Sequence, residues 1–131
     1  MANELAAEAG APPSGQGREG ASGPVDLVHL SRHTLGEREL EREVLELFCT
    51  QSLSYIERLR GAHSYKDWKD AAHSLKGSAT AISAWRTAAA AANAETLSSE
   101  ASSEARALSL GEIESSVREA ESYIGALLED R

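Results

Sequence analysis

The stretch SYKDWKDAAHSLKGSATAIS, residues 64–83, has the pattern of an amphipathic helix. Its apolar residues recur at alternating intervals of four and three, which places them on one helical face: Trp68, Ala72, Leu75, Ala79 and Ile82. Ser64, followed three residues later by Asp67, is a variant of the capping box that begins many helices. We therefore predict a helix that starts after Ser64 and ends near Ser83 or Ala84.

A second row of residues lies beside this apolar face and is predicted to face solvent. It consists of Lys69, His73, Lys76, Gly77 and Thr80. A neutral imidazole is a nucleophile, and lysines one turn away can bind the oxygens of an anionic group. Gly77 costs the helix about 1 kcal/mol relative to alanine, but it removes a side chain that would obstruct a partner. The row therefore favours phosphoryl transfer, which brings the partner's active site into line with the imidazole.

Other interpretations of this row stay open on the residues alone. A helical histidine is more often a surface residue or a hydrogen-bonded core group, and we interpret His29, His33 and His63 in that way. A charge cluster is usually a solvated face, and a helical glycine can permit close helix packing. Metal binding is poorly supported, because Asp70 is the one acidic residue a turn from His73. No nucleophile for a hydrolase, glycine-rich phosphate loop or kinase signature is identifiable.

The charge and the cysteine content of the chain limit the kinds of partner and site that it can have. The 131 residues carry a formal net charge of −8, which argues against nucleic acid as the main partner. All lysines nevertheless fall within residues 66–76, around His73, as expected of one anion-contacting site. The single cysteine, Cys49, allows no intrachain disulfide or thiolate metal cluster, and we interpret it as a buried small side chain.

The length of the chain suits one domain preceded by a tail. Residues 1–24 contain all three prolines and five of the ten glycines, and they are predicted to be a disordered N-terminal tail. They lack the basic start and continuous apolar core of a signal peptide. No later segment has the roughly 18 apolar residues of a membrane span. We expect a folded domain over residues 25–131 and a soluble, cytoplasmic protein that contacts no membrane.

Helical patterns precede the central stretch. A short leader helix is predicted over residues 25–36, and a long amphipathic helix is predicted over residues 37–62, ended by Gly61. The predicted core contacts of the leader are Val25, Val28 and Leu30. The predicted inner face of the long helix comprises Leu40, Val44, Leu47, Phe48, Gln51, Tyr55, Ile56 and Leu59.

Helical patterns also follow the central stretch. An alanine-rich helix is predicted over residues 85–97, and a loop over residues 98–105. Ser109 and Glu112 form a capping box that is predicted to start the last helix. The predicted inner face of that helix comprises Leu110, Ile113, Val117, Ala120, Ile124, Leu127 and Leu128. The predicted fold is therefore all-α, an antiparallel up-down four-helix bundle with a short N-terminal leader helix.

The segment AHSLKGSATAISA, residues 72–84, resembles the H-x-L-K-G-S motif of histidine-containing phosphotransfer (HPt) domains. VLELFCTQSLSYIERLRGA, residues 44–62, is similar to the helix that precedes the phosphorylated one in this family, and NAETL, residues 93–97, looks like the end of the following helix. The resemblance covers about residues 25–129. The sequence departs from the family pattern at Ser83, where many members have glycine.

The resemblance implies a function and a set of roles. His73 matches the phosphorylated histidine, Lys76 the lysine that helps hold the phosphoryl group, and Gly77 the small residue that admits the receiver domain's aspartate. Among the neighbours, Lys69, Ser78 and Thr80 are expected to contact the partner. Family members are not kinases and have no cofactor of their own, and the Mg²⁺ ion belongs to the partner receiver domain. The implied partners are the receiver domains of a hybrid histidine kinase and of a response regulator, bound by a monomer.

Two hypotheses from different classes follow from this sequence. In the first, the protein is a phosphorelay intermediate, phosphorylated on His73 and without kinase activity of its own. In the alternative, it is a helical adaptor that keeps the fold and binds a receiver or kinase domain without being phosphorylated. Uptake of a phosphoryl label by His73 separates the two.

Overall fold

The computed structural model describes residues 23–130, and within that range the chain forms helices and no strand. The predicted 1–24 tail falls almost wholly outside the described residues, so that assignment stays a prediction. The helices, in chain order, are α1 (Leu27–Thr34), α2 (Arg38–Arg60), α3 (Tyr65–Ala81), α4 (Trp85–Glu95) and α5 (Ser103–Glu129). No helix in the described range is long and apolar enough to cross a membrane.

The four longer helices pack in a ring. Each of α2 to α5 packs against the next in the chain, α5 packs back against α2, and α1 lies against α2. Short connections between successive helices give the antiparallel arrangement expected of a bundle. The largest fully buried side chains are Phe48, Leu30, Leu45, Leu75, Ile82, Ile113 and Ile124. Burying each of them contributes about 1.5–3 kcal/mol. The predicted all-α four-helix bundle with a leader helix is confirmed.

Helix α3 forms as its sequence predicts. The Ser64 hydroxyl accepts a hydrogen bond from the Asp67 backbone N–H at 3.0 Å, which caps the first turn. The predicted inner face, from Trp68 to Ile82, is buried throughout. Alanines of α3 and α4 fill much of the seam between these helices, and all of the following are buried: Ala71, Ala72, Ala79, Ala90, Ala91 and Ala94. Because alanine is small, the two helices can approach closely, which brings side chains on their outer edges within bonding distance.

The end of α3 places Ser83 in a backbone conformation that favours glycine. The helix ends at Ala81, and Ser83 has a φ of +63°, in the left-handed region. The Ala84 N–H bonds to the Ala79 carbonyl at 2.9 Å, and the Ser83 N–H bonds to the Thr80 carbonyl at 3.1 Å. These two bonds form a Schellman motif, in which glycine is the usual left-handed residue.

The side chain and the carbonyl of Ser83 both contact the leader segment. The Nδ1 atom of His29 in α1 lies 2.7 Å from the Ser83 hydroxyl oxygen, and the Asp26 N–H donates to the Ser83 carbonyl at 2.9 Å. Asp26 also caps α1 and accepts a hydrogen bond from the Trp85 indole N–H at 3.3 Å. The leader helix and the corner between α3 and α4 are therefore joined by polar contacts among four residues: Asp26, His29, Ser83 and Trp85.

The predicted inner faces of α1 and α2 are wrong in part. Val25 and Leu30 are buried as predicted, but Val28 is 58% exposed. In α2, Leu47 is 53% exposed and Leu40 is also exposed. The buried residues of α2 are Glu41, Leu45, Phe48, Ser52, Ile56 and Leu59. Phe48, Ile56 and Leu59 are buried as predicted. Hydrophobicity alone did not indicate that the helix packs with Ser52 inward, where its hydroxyl bonds to the Cys49 carbonyl. Cys49 itself is only half-buried.

The start of α5 is also a correction. The helix begins at Ser103, and its cap is Ser102, whose hydroxyl accepts from the Ala105 N–H at 3.0 Å. The predicted capping box at Ser109 and Glu112 is wrong, because Ser109 lies inside the helix and is buried. Good helix formers in residues 104–108 carry the helix back by almost two turns. The apolar residues predicted from Ile113 to Ile124 are buried, and the outer leucines of that face are half-buried.

Candidate functional site

His73 projects from the middle of α3 on the outside of the bundle, as its row predicts. Its side chain is 67% exposed. The ring is nevertheless held in place, because its Nδ1 atom lies 2.8 Å from Oε2 of Glu95, the last residue of α4. The accessible histidine therefore has a defined orientation relative to the bundle.

Glu95 binds a second group of α3 with its other oxygen. Its Oε1 atom lies 2.9 Å from Nζ of Lys76, and the Glu95 side chain is only 17% exposed. Burial by itself raises the pKa of Glu95, but the hydrogen bonds from Lys76 and His73 outweigh it, so the pKa is lowered overall. Glu95 is therefore ionised at neutral pH and bridges the nucleophile and its neighbouring lysine.

The ionised Glu95 determines which ring nitrogen of His73 is free. A carboxylate can only accept hydrogen bonds, so the Nδ1 atom of His73 carries the proton and donates to Oε2. In the neutral ring the lone pair then lies on Nε2. The arrangement leaves Nε2 as the nucleophilic nitrogen of an exposed side chain.

Gly77 leaves open space one turn after His73. A Cβ atom built on Gly77 would meet no atom within 4 Å outside its own helix backbone, and the residue is exposed. The glycine is therefore not required for helix packing, which removes the main structural explanation for it. The open surface beside His73 is consistent with the approach of a partner.

Two of the predicted contact residues face away from this cluster or bond to their own helix. The Ser78 hydroxyl lies within 3.5 Å of Oε1 of Gln51, on the α2 side of α3. The Thr80 hydroxyl donates to the Lys76 carbonyl at 2.8 Å. Neither residue joins His73, Lys76 and Glu95, and their predicted contact with a partner stays a prediction.

The remaining lysines lie on the preceding turns of α3. Nζ of Lys66 lies 2.6 Å from Oδ2 of Asp70, while Nζ of Lys69 lies 5.7 Å from the centre of the Tyr65 ring. Nowhere in residues 23–130 do three or more histidine, cysteine, aspartate or glutamate side chains group as potential metal ligands.

Glu95 is the site residue that the sequence analysis missed. It comes from another helix, 22 residues after His73, so no periodicity within α3 could reveal it. The available signal was the NAETL segment, whose position at the end of the following helix places it beside α3 in an antiparallel pair. The indole N–H of Trp68 donates to the Ala94 carbonyl at 2.9 Å and fixes this register.

Comparison with known proteins identifies the family of this chain. A family model described as the Hpt domain matches residues 43–129, about two thirds of the chain. The chain belongs to the Hpt domain family. No curated protein and no solved structure matches it.

Hpt domains carry phosphoryl groups on histidine in phosphorelays and interact with receiver domains of two-component systems, and they are not kinases. The matched segment contains His73, Lys76, Gly77 and Glu95, whereas α1 lies before it. The site therefore lies wholly within the Hpt domain, and the leader helix that packs on the α3–α4 corner is an addition to the matched part.

Proposed function

We propose that this Hpt domain is a phosphorelay intermediate that works through His73. It accepts a phosphoryl group from the aspartate of a receiver domain, such as that of a hybrid histidine kinase, and passes it to the aspartate of a response regulator. The observation that carries this proposal is the 2.8 Å contact between His73 Nδ1 and Glu95 Oε2, which orients the exposed ring and leaves Nε2 as its nucleophilic nitrogen.

In the proposed forward step, the Nε2 lone pair attacks phosphorus of the aspartyl phosphate. An N–P bond forms while the bond from phosphorus to the aspartate oxygen breaks, and the aspartate leaves as a carboxylate with the electron pair. The Nδ1 proton stays between the ring and Glu95, whose negative charge stabilises the positive charge that develops on the imidazole. Transfer to the second aspartate is the reverse reaction with a new acceptor.

Gly77 and Lys76 support the same chemistry. The in-line geometry requires the partner's aspartate to come within bonding distance of Nε2, and the surface beside Gly77 is open to it. Lys76, held by Glu95 one turn from His73, supplies a positive charge toward the phosphoryl oxygens. The site thus combines a nucleophile, an orienting carboxylate, a cation and room for a partner.

The test is phosphoryl uptake from a receiver domain phosphorylated with a radioactive label. We expect the wild-type protein to acquire label that is stable in base and labile in acid, as a phosphohistidine is. His73→Gln should acquire none, while His63→Gln, which alters another exposed histidine, should label like the wild type. Uptake by His73→Gln equal to that of the wild type, or no uptake by any form, would reject the relay in favour of an unphosphorylated adaptor.

A further inference from the structure

The lysines of this chain differ in the partners they have. All of them lie on α3, and two are paired with carboxylates: Lys66 with Asp70, and Lys76 with Glu95. Among the described residues Lys69 has no carboxylate within ion-pair distance, and its ammonium group lies over the Tyr65 ring, 5.7 Å from the centre. Lys69 is therefore the lysine whose positive charge is not compensated by an acidic side chain.

Lys69 stands one turn before His73, on the side of α3 that faces α4. Side chains on an α-helix lean toward its N-terminus, so His73 leans toward the turn that carries Lys69. Ala94, the neighbour of Glu95, accepts the hydrogen bond of Trp68, the residue before Lys69. The Trp68 indole therefore joins the turn before His73 to the end of α4 that holds the His73 ring.

The charge balance of the site calls for a second cation. Lys76 and Glu95 together have no net charge, and both are already joined to each other. A phosphoryl group on His73 adds about two negative charges at neutral pH. An unpaired lysine one turn away can approach these oxygens without giving up an ion pair, whereas Lys76 shares its charge with Glu95.

We propose that Lys69 is the second ligand of the phosphoryl group on His73, and that Tyr65 is a positioning residue that keeps the ammonium group nearby beforehand. This inference rests on the proposed function, since it concerns the phosphorylated state of the same histidine. In the phosphorylated protein the Lys69 ammonium group moves from the face of the Tyr65 ring to the phosphoryl oxygens. There it adds to the positive charge of Lys76, which keeps its contact with Glu95.

The test compares matched lysine variants after phosphorylation by a receiver domain and removal of that donor. We measure the half-life of the phosphohistidine in the wild type, Lys69→Met, Lys69→Arg and the control Lys66→Met. Methionine keeps an unbranched stem and a good helix propensity. We expect Lys69→Met to shorten the half-life by about three-fold to ten-fold, as for the loss of one charge-assisted contact at an exposed site. Arginine should restore it, and Lys66→Met should leave it unchanged.

The position of Tyr65 gives a second readout. We expect its ring resonances in NMR spectra to shift on phosphorylation of the wild type, because the ammonium group leaves the ring, and to shift much less in Lys69→Met. Equal half-lives of wild type and Lys69→Met, or equal shortening by Lys66→Met, would overturn the inference while label on His73 still upheld the relay. Absence of label on the wild type would overturn both.

Discussion

His73 and His29 are each held through Nδ1, yet their surroundings differ in every other respect. His73 bonds to a carboxylate and presents the rest of its ring to solvent. His29 bonds to the Ser83 hydroxyl and packs against His33 and Trp85, with ring centres 4.6 Å and 5.1 Å away. The comparison shows that fixing one nitrogen leaves the other available for chemistry only where the ring is open to a partner. Where the ring packs against other side chains, the same contact fastens helices together.

The largest effect is expected from closing the open side of His73. Gly77→Leu places a branched side chain where the structure leaves space, and leucine is the better helix former by about 0.8 kcal/mol. We expect a thermal stability equal to or above that of the wild type, with phosphoryl transfer slowed about 100-fold, as for a misplacement of about 1 Å. Gly77→Ala should be intermediate. Rapid-quench transfer kinetics measure this, and an unchanged rate for the leucine variant would contradict the access argument.

A large effect on stability, rather than on rate, is expected at Ser83, the partner of His29. Ser83→Val puts a β-branched residue at a φ of +63° and removes the hydroxyl that contacts His29. We expect a loss of about 2 kcal/mol in the free energy of unfolding from the strained backbone and the lost hydrogen bond. Ser83→Gly, which keeps the backbone and loses only the hydroxyl, should cost clearly less. Chemical denaturation gives both values, and equal losses would show that the left-handed backbone is not the main cause.

A smaller effect on rate is expected from the carboxylate that orients His73. In Glu95→Gln the amide oxygen can still accept from Nδ1, but the negative charge and the ion pair with Lys76 are lost. We expect phosphoryl uptake to slow about ten-fold, which corresponds to the loss of one charge-assisted hydrogen bond. The matched control is Glu119→Gln, which removes an exposed ion pair with Arg86. A rate equal to that of the control would show that the charge of Glu95 does not contribute to phosphoryl uptake.

The smallest effect is a pH dependence of stability from His29. Burial lowers the pKa of His29, and the nearby positive groups of His33 and Arg32 lower it further, against the opposing charge of Asp26. Below about pH 6.5, the ordinary value for histidine, the unfolded chain takes up a proton that the folded protein resists. The free energy of unfolding should therefore fall as the pH drops below about 6.5. Denaturation of His29→Gln and His63→Gln between pH 7.5 and 5.5 checks this. Only the former should flatten the dependence.

The sequence predicts features that depend on one helix and misses those that depend on two. The face of α3 and its Ser64 cap follow from local spacing and local hydrogen bonding, and both are confirmed. The inner face of α2 is not determined by hydrophobicity alone, because the helix packs against α3 and α5 with Ser52 buried and Leu47 exposed. A capping box is a local signal too, but the helix formers before Ser109 outweigh it and start α5 earlier.

In the candidate site, too, the residues of one helix were predicted and the residue from a second helix was not. His73, Lys76 and Gly77 lie on one helix, so their exposure and proximity follow from the 3.6-residue period. Glu95 enters from α4, and its relation to His73 depends on the register of two antiparallel helices. Ser83 could be noticed as a departure from the family's glycine, but its contact with His29 depends on where the leader helix docks.

The direction of α4 has a consequence for the energy of the phosphorylated state. The helix ends at Glu95, so the partial negative charge of its carbonyl end lies beside His73 together with the full charge of the carboxylate. In the proposed relay, the newly attached group is therefore anchored on the ring against a negative background. Such a background disfavours the added negative charge of the phosphoryl group and so limits the stability of the phosphorylated state. A phosphorelay intermediate must release the phosphoryl group as readily as it accepts it, and the orientation of α4 contributes to this reversibility.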